Sequence, residues 1–321
     1  MVVSASASSG AIEGSRARQP DASGFVERDG VRVWWERYGD GEPTILLMPT
    51  WSIFPSRHWK FQIPYLARHF RVVTFDGRGS GRSDRPTTAG AYDDTLYVAD
   101  AAAILDATKT DRAIVAGLSM GGGFALRFAV DQPDRTLGLI LLGASVAGRD
   151  RPEGTPDEQD ESDFEEPRDP ESDDGWGRYN AHYWRQNWPA FAEWFVGTRI
   201  FSEPHSTKQV EDGIGWALAV DPEAMVAKHR SAYLRRPRDW PVPPSTEGRG
   251  LAFARRVRCP ALVVHGRDDQ IINPENARRV AAAMAGRLVE IEGGGHAPLL
   301  REPVLVNRAI ADFVRDLMGH V

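Results

Sequence analysis

The chain has 321 residues, 41% hydrophobic content, a formal net charge of −6 and one cysteine, Cys259. This length can bury a large core, and no stretch approaches the roughly eighteen consecutive apolar residues that are typical of a membrane helix. A lone cysteine excludes an intrachain disulfide and a cysteine zinc cluster, and it fits a cytoplasmic location.

Residues 1–22 are small and polar and lack the apolar segment of a signal peptide, so we expect a flexible tail. Two short strand-like runs, 24–29 and 31–39, predict an antiparallel pair. Near-continuous apolar runs then follow in four places: 44–49, 71–76, 112–119 and 137–145. Runs of this kind are typical of strands that are buried on both faces, as they are in a parallel sheet.

Helix-like stretches separate these runs, at 58–70, 95–110 and 122–134. The alternation stops near residue 146 and resumes at 258 with a strand, a helix, a strand and a closing helix: 260–266, 273–286, 287–294 and 302–318. Strand–helix alternation predicts an α/β fold, with a mostly parallel central sheet flanked by helices. We predict one core domain in two parts, residues 23–145 and 258–321.

The interval 146–257 differs in composition and is interpreted as an inserted, mostly helical cap. Its segment 150–174 holds thirteen acidic residues against two arginines. So much like charge favours an extended, solvated segment, and it argues against nucleic-acid binding. Calcium binding is the alternative, but the spacing and glycine of an EF-hand loop are missing. The interval also holds six of the ten tryptophans.

Glycines surround one serine in the stretch Gly117-Leu118-Ser119-Met120-Gly121, between a strand-like run and a helix-like run. The pattern Gly-x-Ser-x-Gly at such a junction is typical of a nucleophile elbow. A strained turn lifts the serine hydroxyl clear of the sheet, and a Cβ at 117 or 121 would collide with the neighbouring backbone. The N–H of Met120 would then face developing negative charge as part of an oxyanion hole. A glycine-rich turn with a structural serine is the alternative.

A serine nucleophile needs a base, and the base needs a carboxylate that orients it. His296 follows a strand-like run late in the chain, with glycines on its N-terminal side, and we predict it as the base. Asp268 and Asp269 follow another strand-like run. We predict that Asp269 orients His296, and that Asp268 caps the turn or remains solvated. His265, beside this turn, is expected to have a structural or supporting role.

With these residues in place, the chain resembles the α/β-hydrolase superfamily, and in particular its capped serine esterases. The order Ser119, Asp269, His296 matches the order of nucleophile, acid and histidine in that family. The resemblance supports Asp269, which lies three residues after Gly266. The stretch 75–86, FDGRGSGRSDRP, looks like the loop after the fourth strand of the family. The resemblance covers roughly residues 24–145 and 258–318.

One stretch departs from the family pattern. Many relatives carry His-Gly after the third strand, and the next residue donates an oxyanion-hole N–H. Here Pro49 and Thr50 replace His-Gly, and the resemblance puts Trp51 at the donor position. Serine at position 119 also differs from the aspartate that haloalkane dehalogenases and epoxide hydrolases use, so alkyl-enzyme chemistry is not expected.

These features predict a serine hydrolase that cleaves a small to medium ester, thioester or lactone through an acyl-serine, without a metal or cofactor. The expected partner is a small-molecule substrate, with no nucleic acid or membrane involved. Aromatic residues could line the substrate pocket or pack the cap onto the core: Trp51, Tyr183, Trp184, Trp188 and Trp216. The alternative functions are a C–C bond hydrolase of ring-cleavage products and a ligand-binding or sensory module with weak turnover.

Overall fold

The computed structural model describes residues 18–144, 146, 164–167, 175–204, 207–234 and 249–319. Most of the predicted tail and of the acidic segment 150–174 therefore lies outside the described residues. One eight-stranded sheet forms the centre of the molecule, in the order β1-β2-β4-β3-β5-β6-β7-β8. The strands are β1 (Ala22–Arg28), β2 (Val31–Tyr38), β3 (Thr44–Leu47), β4 (Arg71–Phe75), β5 (Ala113–Leu118), β6 (Thr136–Leu142), β7 (Ala261–Gly266) and β8 (Arg287–Ile291).

Strand β2 pairs antiparallel with β1 and β4, and all other neighbours are parallel. The helices of the core are α1 (Ile63–Leu66), α2 (Asp94–Ala107), α3 (Met120–Asp131), α8 (Pro274–Ala283), α9 (Pro298–Arg301) and α10 (Pro303–Gly319). Asn273 caps α8 by accepting a hydrogen bond from the Glu275 N–H, as its sequence predicts. The predicted fold class, a mostly parallel sheet flanked by helices, is confirmed.

The continuous apolar runs arise because the parallel strands are covered on both faces. Along β3, Ile45 and Leu47 point into one hydrophobic cluster, whereas Leu46 and the following Met48 point into the cluster on the opposite face. Burial on both faces removes the alternation of apolar and polar residues that a half-exposed strand would have. The cluster around Ile45 also contains aromatic side chains of the insert, so the insert and the core share one apolar interior.

The helical insertion lies between β6 and β7. Its described helices are α4 (Ala181–Phe195), α5 (Thr207–Leu218), α6 (Pro222–Leu234) and α7 (Arg249–Ala254). Helix α4 is kinked at Asn187, two residues before Pro189, and continues into a π-helical turn, Val196–Ile200. Proline inside a helix removes one backbone hydrogen bond and bends the chain, which explains the kink. Among the described helices, none has both the length and the apolar character needed to cross a membrane.

The predicted helix over 58–70 is wrong. The structure has a 3₁₀ turn, Ser56–Trp59, followed by the four-residue helix α1. Pro64 occupies the first turn of α1. A proline ring is tolerated there but clashes with the carbonyl four residues earlier if the helix is extended backwards. The segment therefore divides at Pro64 rather than forming one long helix.

His58 of this segment is fully buried, and its neutral form is favoured. Its Nδ1–H donates to the Pro55 carbonyl oxygen at 2.7 Å, and among the described residues its Nε2 has no hydrogen-bond partner. Burial lowers the pKa of His58 from 6.5 to about 4, although the bond to Pro55 opposes this shift. The unfolded chain therefore takes up a proton at this residue between pH 6.5 and 4, and the folded chain does not.

We expect the free energy of unfolding to fall as the pH drops through this window, by up to about 3 kcal/mol from His58 alone. Urea unfolding of wild type and His58→Gln at several pH values between 7 and 4 measures this contribution. The free energy of unfolding of the variant should depend less steeply on pH than that of wild type. If the free energy of unfolding had the same pH dependence in wild type and His58→Gln, the lowered pKa of His58 would not explain it.

Candidate active site

Ser119 lies at the sharp turn between β5 and α3. Its backbone has φ 52° and ψ −121°, a conformation that side-chain-bearing residues rarely adopt. A Cβ at Gly117 would lie 2.0 Å from the carbonyl oxygen of Gly121, and one at Gly121 would lie 2.2 Å from that of Pro49. Both glycines are therefore required by close backbone contacts, as the sequence predicts. The turn leaves Ser119 half-buried at the C-terminal ends of the parallel strands.

The structure brings Ser119, His296 and Asp269 into one hydrogen-bonded chain. His296 Nε2 lies 2.9 Å from Ser119 Oγ, and His296 Nδ1 lies 2.9 Å from Asp269 Oδ2. His296 follows β8 and Asp269 follows β7, so each side chain comes from a loop at the same edge of the sheet as Ser119. In this arrangement Nδ1–H donates to the carboxylate and Nε2 can accept the serine proton.

Asp269 is buried but fully hydrogen-bonded. Its Oδ1 accepts from the N–H groups of Ile271 and Ile272 at 2.8 and 3.0 Å. Its Oδ2 lies 3.0 Å from Nε2 of His265, in addition to His296. Burial alone would raise the pKa of this carboxyl, but the two histidines outweigh burial and hold the pKa well below its usual range. Asp269 is therefore a carboxylate at any pH near neutrality.

His265 lies beside the turn and contacts Asp269, where the sequence predicts a structural or supporting role. Because the carboxylate oxygen of Asp269 and the Ile272 carbonyl oxygen, 3.3 Å away, are both acceptors, Nε2 must carry the hydrogen. Its buried Nδ1 has no partner among the described residues. Asp268, by contrast, is exposed at the surface. The two adjacent aspartates thus differ as predicted, one facing the histidines and one facing solvent.

The loop after β3 is held against the elbow. Thr50 Oγ1 donates to the Leu118 carbonyl oxygen at 2.9 Å, and Gly121 is close enough to Pro49 that no side chain would fit. Trp51 follows directly in this loop. Met120 begins helix α3, and the first N–H groups of a helix have no acceptor within the helix. Both predicted oxyanion-hole donors therefore come from backbone segments that contact the elbow.

The predicted pocket residues fall into two groups. The Trp51 ring is stacked on Tyr179 and tilted against Trp184, with ring centres 5.9 Å apart in both pairs, so it contacts the aromatic cluster of the insert. In that cluster Tyr183, Trp184 and Trp188 are buried, and Trp188 Nε1 donates to the Ala217 carbonyl oxygen. These contacts favour the packing alternative for the three cap residues.

Trp216 lies elsewhere. It contacts Phe54 and the Lys60 ammonium, in a crevice whose lining residues include none of Ser119, Asp269 and His296. Its assignment to the substrate pocket has no support from this placement.

Sequence reasoning missed Glu203 and Arg301. Glu203, in the insert between the π-helical turn and α5, accepts a hydrogen bond from the Gly295 N–H at 2.8 Å. Gly295 directly precedes His296. Arg301 Nε lies 3.3 Å from Glu203 Oε2, and both side chains are almost completely buried. A carboxylate of the insert thus binds the backbone that carries the histidine. The contact could not be predicted from the sequence around Glu203, because its partner Gly295 lies 92 residues further along the chain.

Within the described residues, no group of three or more His, Cys, Asp or Glu side chains is arranged to hold a metal ion. The polar side chains at the elbow instead form the single chain from carboxylate to imidazole to hydroxyl. Such a chain can deprotonate a serine and stabilise the imidazolium that results.

Comparisons with known proteins agree with this architecture. A family model described as alpha/beta hydrolase fold matches residues 43–303. The 2-hydroxymuconate semialdehyde hydrolase of Pseudomonas sp. (strain CF600) is 27% identical over 308 residues, which cover 92% of this chain and 95% of that protein.

Two solved structures are similar over nearly the whole chain. A thermophilic esterase from Thermogutta terrifontis has a TM-score of 0.71 and 25% identity, and the match covers 91% of this chain and 97% of the esterase. The enol-lactonase from Burkholderia xenovorans LB400 has a TM-score of 0.71 and 21% identity, and the match covers 91% of this chain and 99% of the lactonase.

Proposed function

The chain belongs to the alpha/beta hydrolase fold family, and we propose that it is a serine hydrolase that cleaves a small to medium carboxylic ester, thioester or lactone. The observation that carries this proposal is the unbroken chain of hydrogen bonds from Asp269 through His296 to Ser119, with Ser119 at a strained turn. The similarity to the Thermogutta terrifontis esterase supports the same class of reaction.

In the proposed mechanism, His296 Nε2 takes the proton of Ser119 as its Oγ attacks the substrate carbonyl. The N–H groups of Met120 and Trp51 hold the tetrahedral oxyanion. Collapse expels the alcohol, which receives its proton from His296, and leaves an acyl-serine. Water that is deprotonated by His296 then releases the acid. Asp269 keeps the hydrogen of His296 on Nδ1 throughout, so that Nε2 faces the serine.

A fluorophosphonate probe and a panel of p-nitrophenyl esters of increasing acyl length test this proposal. We expect one probe molecule bound per chain, at Ser119, and turnover of at least one ester of the panel. A chain that neither reacts with the probe nor turns over any ester would instead be the ligand-binding or sensory module that the sequence leaves open.

A C–C bond hydrolase is the second candidate, and the similarity to the 2-hydroxymuconate semialdehyde hydrolase favours it. Vinylogous 1,5-diketones, the kind of product that ring cleavage of catechols gives, separate the two reactions. A kcat/KM for such diketones far above that of every ester would assign C–C cleavage to this site. The opposite ratio would support ester hydrolysis.

Glu203 gives a further prediction for this mechanism. We expect Glu203→Ala to lower kcat by about 100-fold, because small displacements of a catalytic group have effects of this size. The variant loses the acceptor for the Gly295 N–H, and the segment that carries His296 can then shift. Measurement of kcat and KM with an activated ester tests this expectation, and KM should change much less than kcat.

Glu203→Gln is the matched control, because its amide oxygen can still accept from Gly295. Its kcat should lie close to that of wild type. Both variants leave Arg301 without its buried carboxylate partner, so both should have a lower melting temperature. A kcat that falls equally in the two variants would attribute the effect to general destabilisation and not to the position of His296.

A further inference from the structure

A cavity lies between the first part of the core and the insert. It has a volume of about 660 Å³, which is within the range of small-molecule sites. Strand β2 and the segment from Ser56 to Arg68 form its core side, and helix α5 forms its side toward the insert. No residue of the chain Asp269–His296–Ser119 lines it.

The walls of this cavity are aromatic. Phe61 and Trp216 both lie near the Lys60 ammonium, whose nitrogen is 4.8 Å from the centre of the Phe61 ring and 5.8 Å from that of Trp216. Tyr65 is a third aromatic residue of the lining. Aromatic faces of this kind bind flat apolar groups, and a few polar groups then fix the orientation of the ligand.

The charge of the lining is positive, although the chain as a whole carries a net charge of −6. Five basic residues line the cavity, against the acidic residues Glu36 and Asp212. Both carboxylates are already engaged. Glu36 accepts hydrogen bonds from Tyr38 and Trp34, at 2.7 and 3.2 Å, and Asp212 forms ion pairs with both Lys60 and Lys208.

Among the described residues, two of the basic side chains, Arg57 and Arg68, have no counter-charge. Within the described part of the chain, neither guanidinium forms a hydrogen bond or an ion pair. A guanidinium binds a carboxylate in a bidentate geometry. Arg57 and Arg68 line the same cavity as Phe61 and Trp216.

We propose that this cavity is a second ligand site, separate from the site of Ser119, for a small aromatic carboxylate. The ring lies against Phe61 and Trp216, and the carboxylate binds Arg57 and Arg68. The proposal does not depend on the proposed function, because no group of the hydrolytic site takes part in it.

Calorimetric titration with 2-naphthoate and its neutral analogue 2-naphthamide tests the proposal, on wild type and on Ser119→Ala. We expect naphthoate to bind both proteins with equal affinity and at least tenfold more tightly than the amide, since hydrogen bonds to charged groups exceed neutral ones by about this amount. Raising the salt concentration should lower the affinity for naphthoate and leave the affinity for the amide unchanged.

The double variant Arg57→Gln/Arg68→Gln should lose the preference for naphthoate over the amide. Trp216→Leu should bind both ligands with lower affinity than wild type. The matched control is Arg308→Gln, at an exposed arginine of helix α10, and it should bind as wild type does. Unfolding curves identify any variant that fails to fold. Binding of naphthoate no tighter than the amide would overturn the proposal. An unchanged affinity of the double variant for naphthoate would also overturn it. So would loss of naphthoate binding after Ser119 has reacted with the fluorophosphonate.

Discussion

Replacement of Ser119 by alanine should lower kcat for the best ester by about a millionfold, as loss of the nucleophile does in other serine triads. His296 keeps its hydrogen bond to Asp269 in the variant, but no oxygen remains 2.9 Å from its Nε2 to attack the substrate. The fluorophosphonate should no longer react. Steady-state kinetics with protein free of wild-type contamination measures the loss, and Ser23→Ala, on the edge strand β1, is the control. Retention of a tenth of the activity would point to a different nucleophile.

Ser119→Gly separates the loss of chemistry from the loss of folding. The positive φ of 52° at this residue is strained for serine and open to glycine. We therefore expect the glycine variant to be as inactive as the alanine variant, yet more stable than wild type by about 1 kcal/mol in chemical unfolding. A glycine variant less stable than wild type would contradict the view that the elbow stores strain.

The sheet and the residues at its edge could be predicted from the sequence for one physical reason. Strands buried on both faces leave continuous apolar runs, and the loops that follow parallel strands meet at one edge of the sheet. Ser119 and Asp269 each follow such a run, and His296 follows the neighbouring parallel strand β8. Their convergence therefore follows from the topology, even though 177 residues separate Ser119 from His296.

The contacts of the insert could not be predicted in the same way. Glu203 lies in a loop, where no hydrophobic periodicity predicts its position. Its contact with the Gly295 N–H depends on how the insert packs on the core. For the same reason the sequence identifies Trp216 as an aromatic residue of the insert but does not place it, and the structure puts it in the cavity lined by Phe61 and Lys60. Tertiary packing, not local pattern, decides such positions.

Substitution of the two adjacent aspartates should have very different effects on kcat. Asp269→Asn should lower kcat by about ten thousandfold, because an amide cannot hold the histidine as a carboxylate does. Asp269 Oδ2 receives N–H groups from both His296 and His265. In the variant, one side-chain atom can still accept from Ile271 and Ile272, but the other becomes an NH₂ group that faces two N–H donors. His296 must then turn or move its hydrogen to Nε2, where it can no longer accept the serine proton.

Asp268→Asn is the matched control for this variant, one residue away and exposed to solvent. It should keep wild-type kcat, and its fluorophosphonate reaction should be as fast as that of wild type. For Asp269→Asn the rate of that reaction should fall together with kcat, because the same proton transfer from Ser119 limits both. If Asp268→Asn were the inactive variant, Asp268 would be the acid, and the hydrogen bond between His296 and Asp269 would have no part in the reaction. The side-chain contacts of Asp269 argue for the first outcome, since it alone of the two carboxylates is buried against both histidines.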